Sequence, residues 1–401
     1  MKASNGKLIL FSFVFLLLAL FVRRAQAQPK YDSIDSSIRN FMAEKKIPGF
    51  VACIVKDNAI LWSNNYGQAD IKNNVPMSLD AIMNIGSISK TFTATAAMQL
   101  WEKGLLDLNA DINKYVDFKI RNPKYPDIPI TISQILTHTS SIQDGKAYDD
   151  SYSCGDPTQS LNDWIYNNLS TDGTYYYQGD NFSDTAPGSK RSYSNVAFGL
   201  LGLIIERVAK KPFNEYCKEN IFKPLGMIHT GWFLSEIDTS KHVKPYAYVT
   251  ESNRNGILKS KKLYPKESEF KVGSFVENCL YSFPNYPDGL VRTSVRELSI
   301  YLSAMMNGGQ LNGKKILNKE TVDKMLSLQL KESRSQGLCW HTTEFDFLSD
   351  HIKLWGHTGA DPGIATYLFF HPTEKIGVIT FHNNVTGGTM EIVKKLYLAG
   401  K

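Results

Sequence analysis

The chain has 401 residues, 42% of them hydrophobic and 12% aromatic, which is ordinary for a globular protein and enough to bury one large core or two lobes. Its formal net charge is +6, but four of the 45 basic residues and none of the 39 acidic ones fall within the first 27 positions. The rest carries only +2 (41 basic against 39 acidic), so the charge makes no case for a nucleic-acid partner.

The first element is a leader. Lys2 and Lys7 precede an apolar run from Leu8 to Val22, broken only by Ser12, and Arg23, Arg24 and the small-residue pattern Ala25-Gln26-Ala27 follow it. This reads as a secretory signal peptide, residues 1–27, cut after Ala27, with export as the consequence. The run is shorter than the ~20 residues of a spanning helix, although the paired arginines leave an uncleaved anchor open. No second long apolar run follows, so the mature chain, 28–401, is expected to lack a membrane span.

Tyr31 to Lys46 predicts an amphipathic helix that ends before Pro48. Phe50–Val55 and Ala59–Trp62 predict strands across an Asp57-Asn58 turn. Helical patterns then dominate, at Ser87–Lys103, Thr131–Leu136, Ser194–Lys210, Pro212–Phe222 and Thr293–Met306. Polar, aromatic-rich loops are expected at Ser140–Arg191 and Ser235–Asp288, and loops of that length tend to carry function. Strands return at Lys353–His357, Ile364–Phe370 and Gly377–Phe381, the last two joined by a turn at His371–Lys375, and Met390–Leu398 closes as a helix. Strands at both ends with helices between predict one sheet built from the two ends, a sheet lobe of 28–85 with 310–401, and a mainly helical lobe over 86–309.

Five cysteines, Cys53, Cys154, Cys217, Cys279 and Cys339, are far apart and odd in number. There is no CxxC pair to suggest zinc; one disulfide is compatible with them, and at least one thiol is left over. No HExxH or GxSxG occurs, and Gly308–Lys314 imitates a phosphate loop only in part, with Lys315 where Ser or Thr belongs. No metal or cofactor is expected. Asn168, Asn181 and Asn384 begin glycosylation sequons.

Reactive chemistry points to Ser87 and Lys90. From Ala81 to Trp101 the only charged side chain is Lys90, on a segment apolar or small nearly all round, the mark of a buried helix. A lysine stripped of water is expected to have a lowered pKa and so to accept a proton near neutral pH. Positions three apart face the same side of a helix, so Lys90 reaches the Ser87 hydroxyl, and the Ser87 N–H, at the helix start, is free to bind an oxyanion. The spacing alone is weak: Ser4–Lys7 and Ser268–Lys271 repeat it without an apolar helix behind them. Two further elements strengthen it. Tyr193-Ser194-Asn195 precedes the apolar stretch Val196–Val208, and His357-Thr358-Gly359 ends a strand whose edge is suited to an extended substrate. Tyr166-Asn167-Asn168, inside a loop stretch, and His229-Thr230-Gly231 are decoys without that context.

In this order the three motifs resemble the penicillin-recognising serine hydrolases. The stretches GSISKTFTA, ILTHTSSI, YSNVAFGLLGLIIERV, IFKPLGM, GLCW and GHTGADPG resemble the class C β-lactamase-related branch, which includes esterases, D-aminopeptidases and DD-peptidases. The resemblance implies an α/β (α+β) fold of the β-lactamase/transpeptidase type, an antiparallel sheet flanked by helices plus a helical lobe. It implies Ser87 as acylated nucleophile, Lys90 and Tyr193 as joint general base and acid, and an oxyanion hole from the N–H groups of Ser87 and Ala360. It places Asn195 on the substrate amide, with His357, Thr358 and Gly359 as the substrate-binding strand. Where many β-lactamases of this group carry Lys, this chain has His357, which has a free pKa of ~6.5 and is mostly neutral at pH 7. A D-amino-acid peptide or small ester is therefore favoured over a β-lactam; a genuine β-lactamase, or a penicillin-binding sensor or scaffold that acylates but turns over slowly, are the alternatives. His138 is read as structural, and Tyr175, Tyr176, Tyr177, Tyr281, Phe283 and Tyr286 as aromatics that could line the cleft.

Overall fold

In the computed structural model, which describes residues 31–401 apart from 178, 266–269, 331–332 and 334, both chain ends feed one seven-stranded antiparallel sheet. The signal-peptide reading of 1–27 and the decoy at Ser268 lie outside the described residues. The strands are β1 (Gly49–Lys56), β2 (Ala59–Asp70), β3 (Val75–Pro76), β4 (His341–Phe347), β5 (Asp350–Asp361), β6 (Ile364–His371) and β7 (Ile376–His382), in spatial order β4-β5-β6-β7-β1-β2-β3. The N-terminal hairpin joins the C-terminal strands in mid-sheet, where β1 pairs with β7 and Phe50 stands opposite His382. Asp57 and Asn58 have φ of +49° and +68°, the left-handed pair that a tight two-residue hairpin needs and that Asp and Asn tolerate.

Side-chain alternation sends the two faces of β1 into different cores. Phe50, Ala52 and Ile54 pack with helix α1 (31–45) and helix α5 (Thr389–Gly400). Val51, Cys53 and Val55 face the main core, shared with helices α2 (Ser89–Glu102), α3 (Val196–Ala209) and α4 (Val295–Met306). Burial on both faces explains why β1 reads as an unbroken apolar run. Strand β4 was absent from the sequence expectation because it is an edge strand with mostly exposed residues and so little hydrophobic pattern. Helix α4 falls within 86–309 yet packs on β1, β6 and β7, so it crosses the expected division between the lobes.

The long loops are more ordered than expected. Leu161–Leu169 is a helix capped by Ser160, which accepts from Asp163 N–H at 3.0 Å. Leu161, Trp164, Ile165 and Leu169 form its buried stripe, so the expectation of a polar loop around Tyr166 is corrected. The sequon side chains of Asn168, Asn181 and Asn384 are buried. No helix among the described residues is long and apolar enough to cross a membrane.

Cys154 and Cys279 form a disulfide, while Cys53, Cys217 and Cys339 are free and buried. Burial pushes the Cys53 thiol up to about 12, which makes it inert. The bridge spans 125 residues and adjoins the pairing of Ser153–Cys154 with Tyr281–Ser282, which holds Tyr152 and Phe283 in place. Loop-closure entropy for such a span gives about 3–5 kcal/mol. The Cys154→Ser/Cys279→Ser double variant should therefore melt about 5 °C lower by calorimetry; an unchanged Tm would contradict this account.

Candidate active site

The turn that carries Ser87 is squeezed between strands. The two-residue strand Met83–Asn84 leads through Ile85 into a single tight helical turn, Gly86–Ile88, and on into α2. Gly86 has φ +52°, and a Cβ on it would stand 2.9 Å from Ala360 N. On the facing strand β5, a Cβ on Gly359 would overlap Ile85 O. These two glycines let β5 press its backbone against the turn, which sets the Ala360 N–H beside the Ser87 segment. Gly86 N–H donates to Asn84 Oδ1 at 2.8 Å and Thr366 Oγ1 to Ile85 O at 2.7 Å, fixing the turn from both sides.

Helix α2 is buried from Ser89 to Leu100, and Lys90 is fully enclosed. Its Nζ donates to Ser87 Oγ at 3.0 Å, Asn195 Oδ1 at 2.7 Å and Asp288 O at 2.8 Å, and it lies 3.3 Å from Asp288 Oδ2. Burial by itself pushes this pKa down, as the sequence led us to expect. Tyr193, Asp288 and Asp144 around the ammonium reverse that push, and the pKa ends above the ordinary lysine value. The expected lowered pKa is thus corrected: at rest Lys90 is a cation that donates to Ser87.

Asp288 was not singled out from sequence. It is 2% exposed; Oδ2 also accepts from Tyr148 Oη at 2.9 Å and Oδ1 from Asn285 Nδ2 at 2.8 Å. Burial pushes its pKa up to about 6, against the pull of Lys90, Asn285 and Tyr148. Helix α3 makes room for this segment. A Cβ on Gly199 would overlap Asn285 Oδ1, and one on Gly202 would overlap Pro287. Two glycines three apart in an apolar helix are the signal that could have revealed a close neighbour here.

Asp144, also missed, sits at the start of α3. Its Oδ1 accepts from Asn195 N at 2.8 Å and Val196 N at 2.9 Å, and its Oδ2 from Asn195 Nδ2 at 2.7 Å. The Asn195 side chain is thereby held with its oxygen toward Lys90. Tyr193 lies at the mouth, its ring centroid 5.0 Å from Lys90 Nζ, and its hydroxyl interacts with Ser87 and Lys90. Desolvation raises the Tyr193 pKa while Lys90 lowers it. The ring stacks on His138 at 4.2 Å between centroids. His138 is buried, accepts from Ser194 N–H at 3.3 Å and is held well below its usual pKa by burial and then by Lys90. It serves as a seat for Tyr193.

His357 is 3% exposed and its Nδ1–H donates to Thr358 O at 2.7 Å. Burial, then His341 and Lys90, hold its pKa well below the usual value, so it is neutral. Beyond Ala360 on β5, Asp361 accepts from Tyr152 Oη at 2.8 Å and Asn84 Nδ2 at 3.3 Å. Burial pushes Asp361 up to about 7, Tyr152 opposes this and Asp288 adds to it. Of the expected cleft aromatics, Phe283 and Tyr281 pack on Tyr152 at 4.5 and 5.7 Å. Tyr175 instead packs on Trp164, Tyr176 on Phe182, and Tyr286 on Trp232 and Phe233, while Tyr177 is exposed. Ser87, Lys90, Tyr193, Asn195, His357, Gly359 and Ala360 thus come from three separate chain segments to one place.

The sequence matches the Beta-lactamase family model over residues 34–399. It is similar to protein flp of Staphylococcus aureus strain MW2, 32% identical over 352 residues, which is 87% of this chain and 62% of the relative. The chain thus spans under two thirds of the length of the S. aureus relatives it matches. Among solved structures, it is similar to the octameric penicillin-binding protein homologue from Pyrococcus abyssi (27% identical, TM-score 0.68, 92% of this chain and 76% of that one). It also shares the fold of D-amino acid amidase from Ochrobactrum anthropi SV3 (18% identical, TM-score 0.69, 92% and 98%).

Proposed function

The chain belongs to the Beta-lactamase family of serine hydrolases, and from that premise we propose that it cleaves an amide or ester through an acyl-enzyme on Ser87. The observation that carries this reading is the enclosed Lys90 ammonium 3.0 Å from Ser87 Oγ. In the proposed reaction Ser87 Oγ attacks the substrate carbonyl, whose oxygen is received by the N–H groups of Ser87 and Ala360. The Ser87 proton passes to Lys90 as Lys90 gives one of its own to Asp288 Oδ2, so the lysine stays a cation throughout. Tyr193 donates its hydroxyl proton to the leaving group, and water then hydrolyses the acyl-enzyme by the reverse relay. Asn195 steadies the substrate amide, and the edge at His357, Thr358 and Gly359 aligns it.

A buried neutral His357 supports a peptide, an amino-acid derivative or a small ester over a β-lactam, whose carboxylate calls for a permanent cation. The N-terminal leader and the Cys154–Cys279 bridge support export to a secreted or periplasmic setting. A fluorophosphonate probe should add one adduct, mapped to Ser87 by peptide mass spectrometry, and the Ser87→Ala protein should take up none. Labelling elsewhere, or undiminished hydrolysis by Ser87→Ala, would sink the proposal.

A further inference from the structure

We propose that residues 144–154 form a clamp on the reactive site, in which Tyr148 is the positioning residue for the proton-accepting Asp288 and the Cys154–Cys279 bond holds the clamp shut, so that reducing this bond lowers turnover while the chain stays folded. This rests on the acyl-enzyme reading above and adds a control on that same site.

Spacing is the first argument. Asp144, Tyr148 and Tyr152 stand four residues apart, and each grips a different part of the site. Asp144 accepts from Asn195 N at 2.8 Å and from Asn195 Nδ2 at 2.7 Å. Tyr148 Oη donates at 2.9 Å to Asp288 Oδ2, the oxygen that lies 3.3 Å from Lys90 Nζ. Tyr152 Oη donates at 2.8 Å to Asp361 Oδ1, beside Ala360 on β5. Burial raises the pKa of both tyrosines, so each hydroxyl keeps the proton that it gives to its carboxylate.

The tether is the second argument. The helix in this segment, Lys146–Asp150, has five residues and is too short to hold its shape alone. Ala147 and Tyr148 are buried, while Lys146, Asp149 and Asp150 face solvent. The C-terminal end is tied to the stretch that leads to Asp288. Ser153–Cys154 pairs with Tyr281–Ser282, Gly155 N–H donates to Leu280 O at 2.8 Å, and Cys154 is bonded to Cys279. Phe283, on that same stretch, meets the rings of Tyr148 and Tyr152 at 5.9 and 4.5 Å between centroids. The bridge lies outside the main core, and Cys154 is exposed to an attacking thiolate. A dithiol supplies two electrons and two protons: the Cys154–Cys279 bond becomes two thiols as the dithiol closes to its own disulfide. The released clamp then holds Asp288 less firmly, so the chain is fully active only where disulfides persist.

The test uses a p-nitrophenyl ester and the full chain. Asp288 faces Lys90 from α2, Tyr193 and Asp144 beside the start of α3, Asn285 in its own turn, Asp361 on β5, and Tyr148 and Tyr152 from the clamp. Tyr148→Phe removes one bond that favours the ionised carboxylate. The acid limb should therefore move to higher pH, and kcat at pH 7 should fall about 10-fold with KM little changed. Wild type reduced with dithiothreitol and desalted, its two new thiols counted by alkylation and mass spectrometry, should lose about 10- to 100-fold in kcat, keep its far-UV circular dichroism and recover on reoxidation. Cys154→Ser/Cys279→Ser should start at the lowered kcat and ignore the dithiol. An unmoved acid limb in Tyr148→Phe, full kcat in the reduced wild type, or loss of the far-UV signal on reduction overturns the clamp while Ser87 labelling leaves the hydrolase reading standing. Failure of that labelling in the oxidised wild type overturns both.

Discussion

Replacing Lys90 with methionine should lower kcat/KM by about 10⁴-fold on any ester or amide that the wild type cleaves. Methionine fills a similar volume on an enclosed helix, so the packing of α2 is largely kept. What disappears is the one ammonium that touches Ser87, Asn195 and Asp288 together. Ser87 then has no group to pass its proton through, and Tyr193 loses the charge that pulls its pKa down. The variant also leaves Asp288 and Asp144 without their nearby cation. Breaking a buried pair from one side typically costs about 3–5 kcal/mol, so the variant should melt earlier at neutral pH and recover in part in acid, where Asp288 protonates. Steady-state kinetics with a p-nitrophenyl ester and pH-resolved melting check both statements. Activity within 10-fold of wild type would remove Lys90 from the chemistry.

Asp288→Asn should lower kcat by about 10²- to 10³-fold and flatten the acid side of the pH profile. The side chains are nearly equal in size, and Asn can still meet Tyr148 and Asn285, but it cannot take a proton from Lys90. In the wild type the carboxylate accepts that proton only when ionised. Its pKa of about 6 therefore predicts activity that is present above pH 6 and lost as the pH falls through it. Asn has nothing to titrate there, so the residual activity of the variant should be level between pH 5 and 7. A wild-type acid limb that survives unchanged in Asp288→Asn would assign it to another group.

The outline of the fold was legible because its elements carry their own patterns. β1 and the hairpin of β6 and β7 announce themselves as β-branched and aromatic runs around turn residues, and α2 and α3 as apolar stretches. The edge strand β4 was not legible, since it buries little, and the helix Leu161–Leu169 was overlooked although its stripe was present. Within the candidate site, Ser87, Lys90, Tyr193, Asn195 and His357 were singled out because each belongs to a short local motif. Asp144 and Asp288 belong to none, and Asp361, although inside the stretch GHTGADPG, was given no role. Asp288 lies in Asn285-Tyr286-Pro287-Asp288-Gly289, which by composition is only a turn.

By itself, then, the sequence determined which serine and lysine share one face of a charge-free helix, and that a second apolar helix and a strand end complete the arrangement. Those are consequences of spacing, because helix and strand geometry repeat along the chain. Only the tertiary structure decided the charge on Lys90, and it reversed the expectation. Desolvation depends on the helix that a lysine occupies and can be read locally. Coulomb energy depends on distance through space, and the carboxylate at 3.3 Å comes from 198 residues away, admitted by glycines on a third segment.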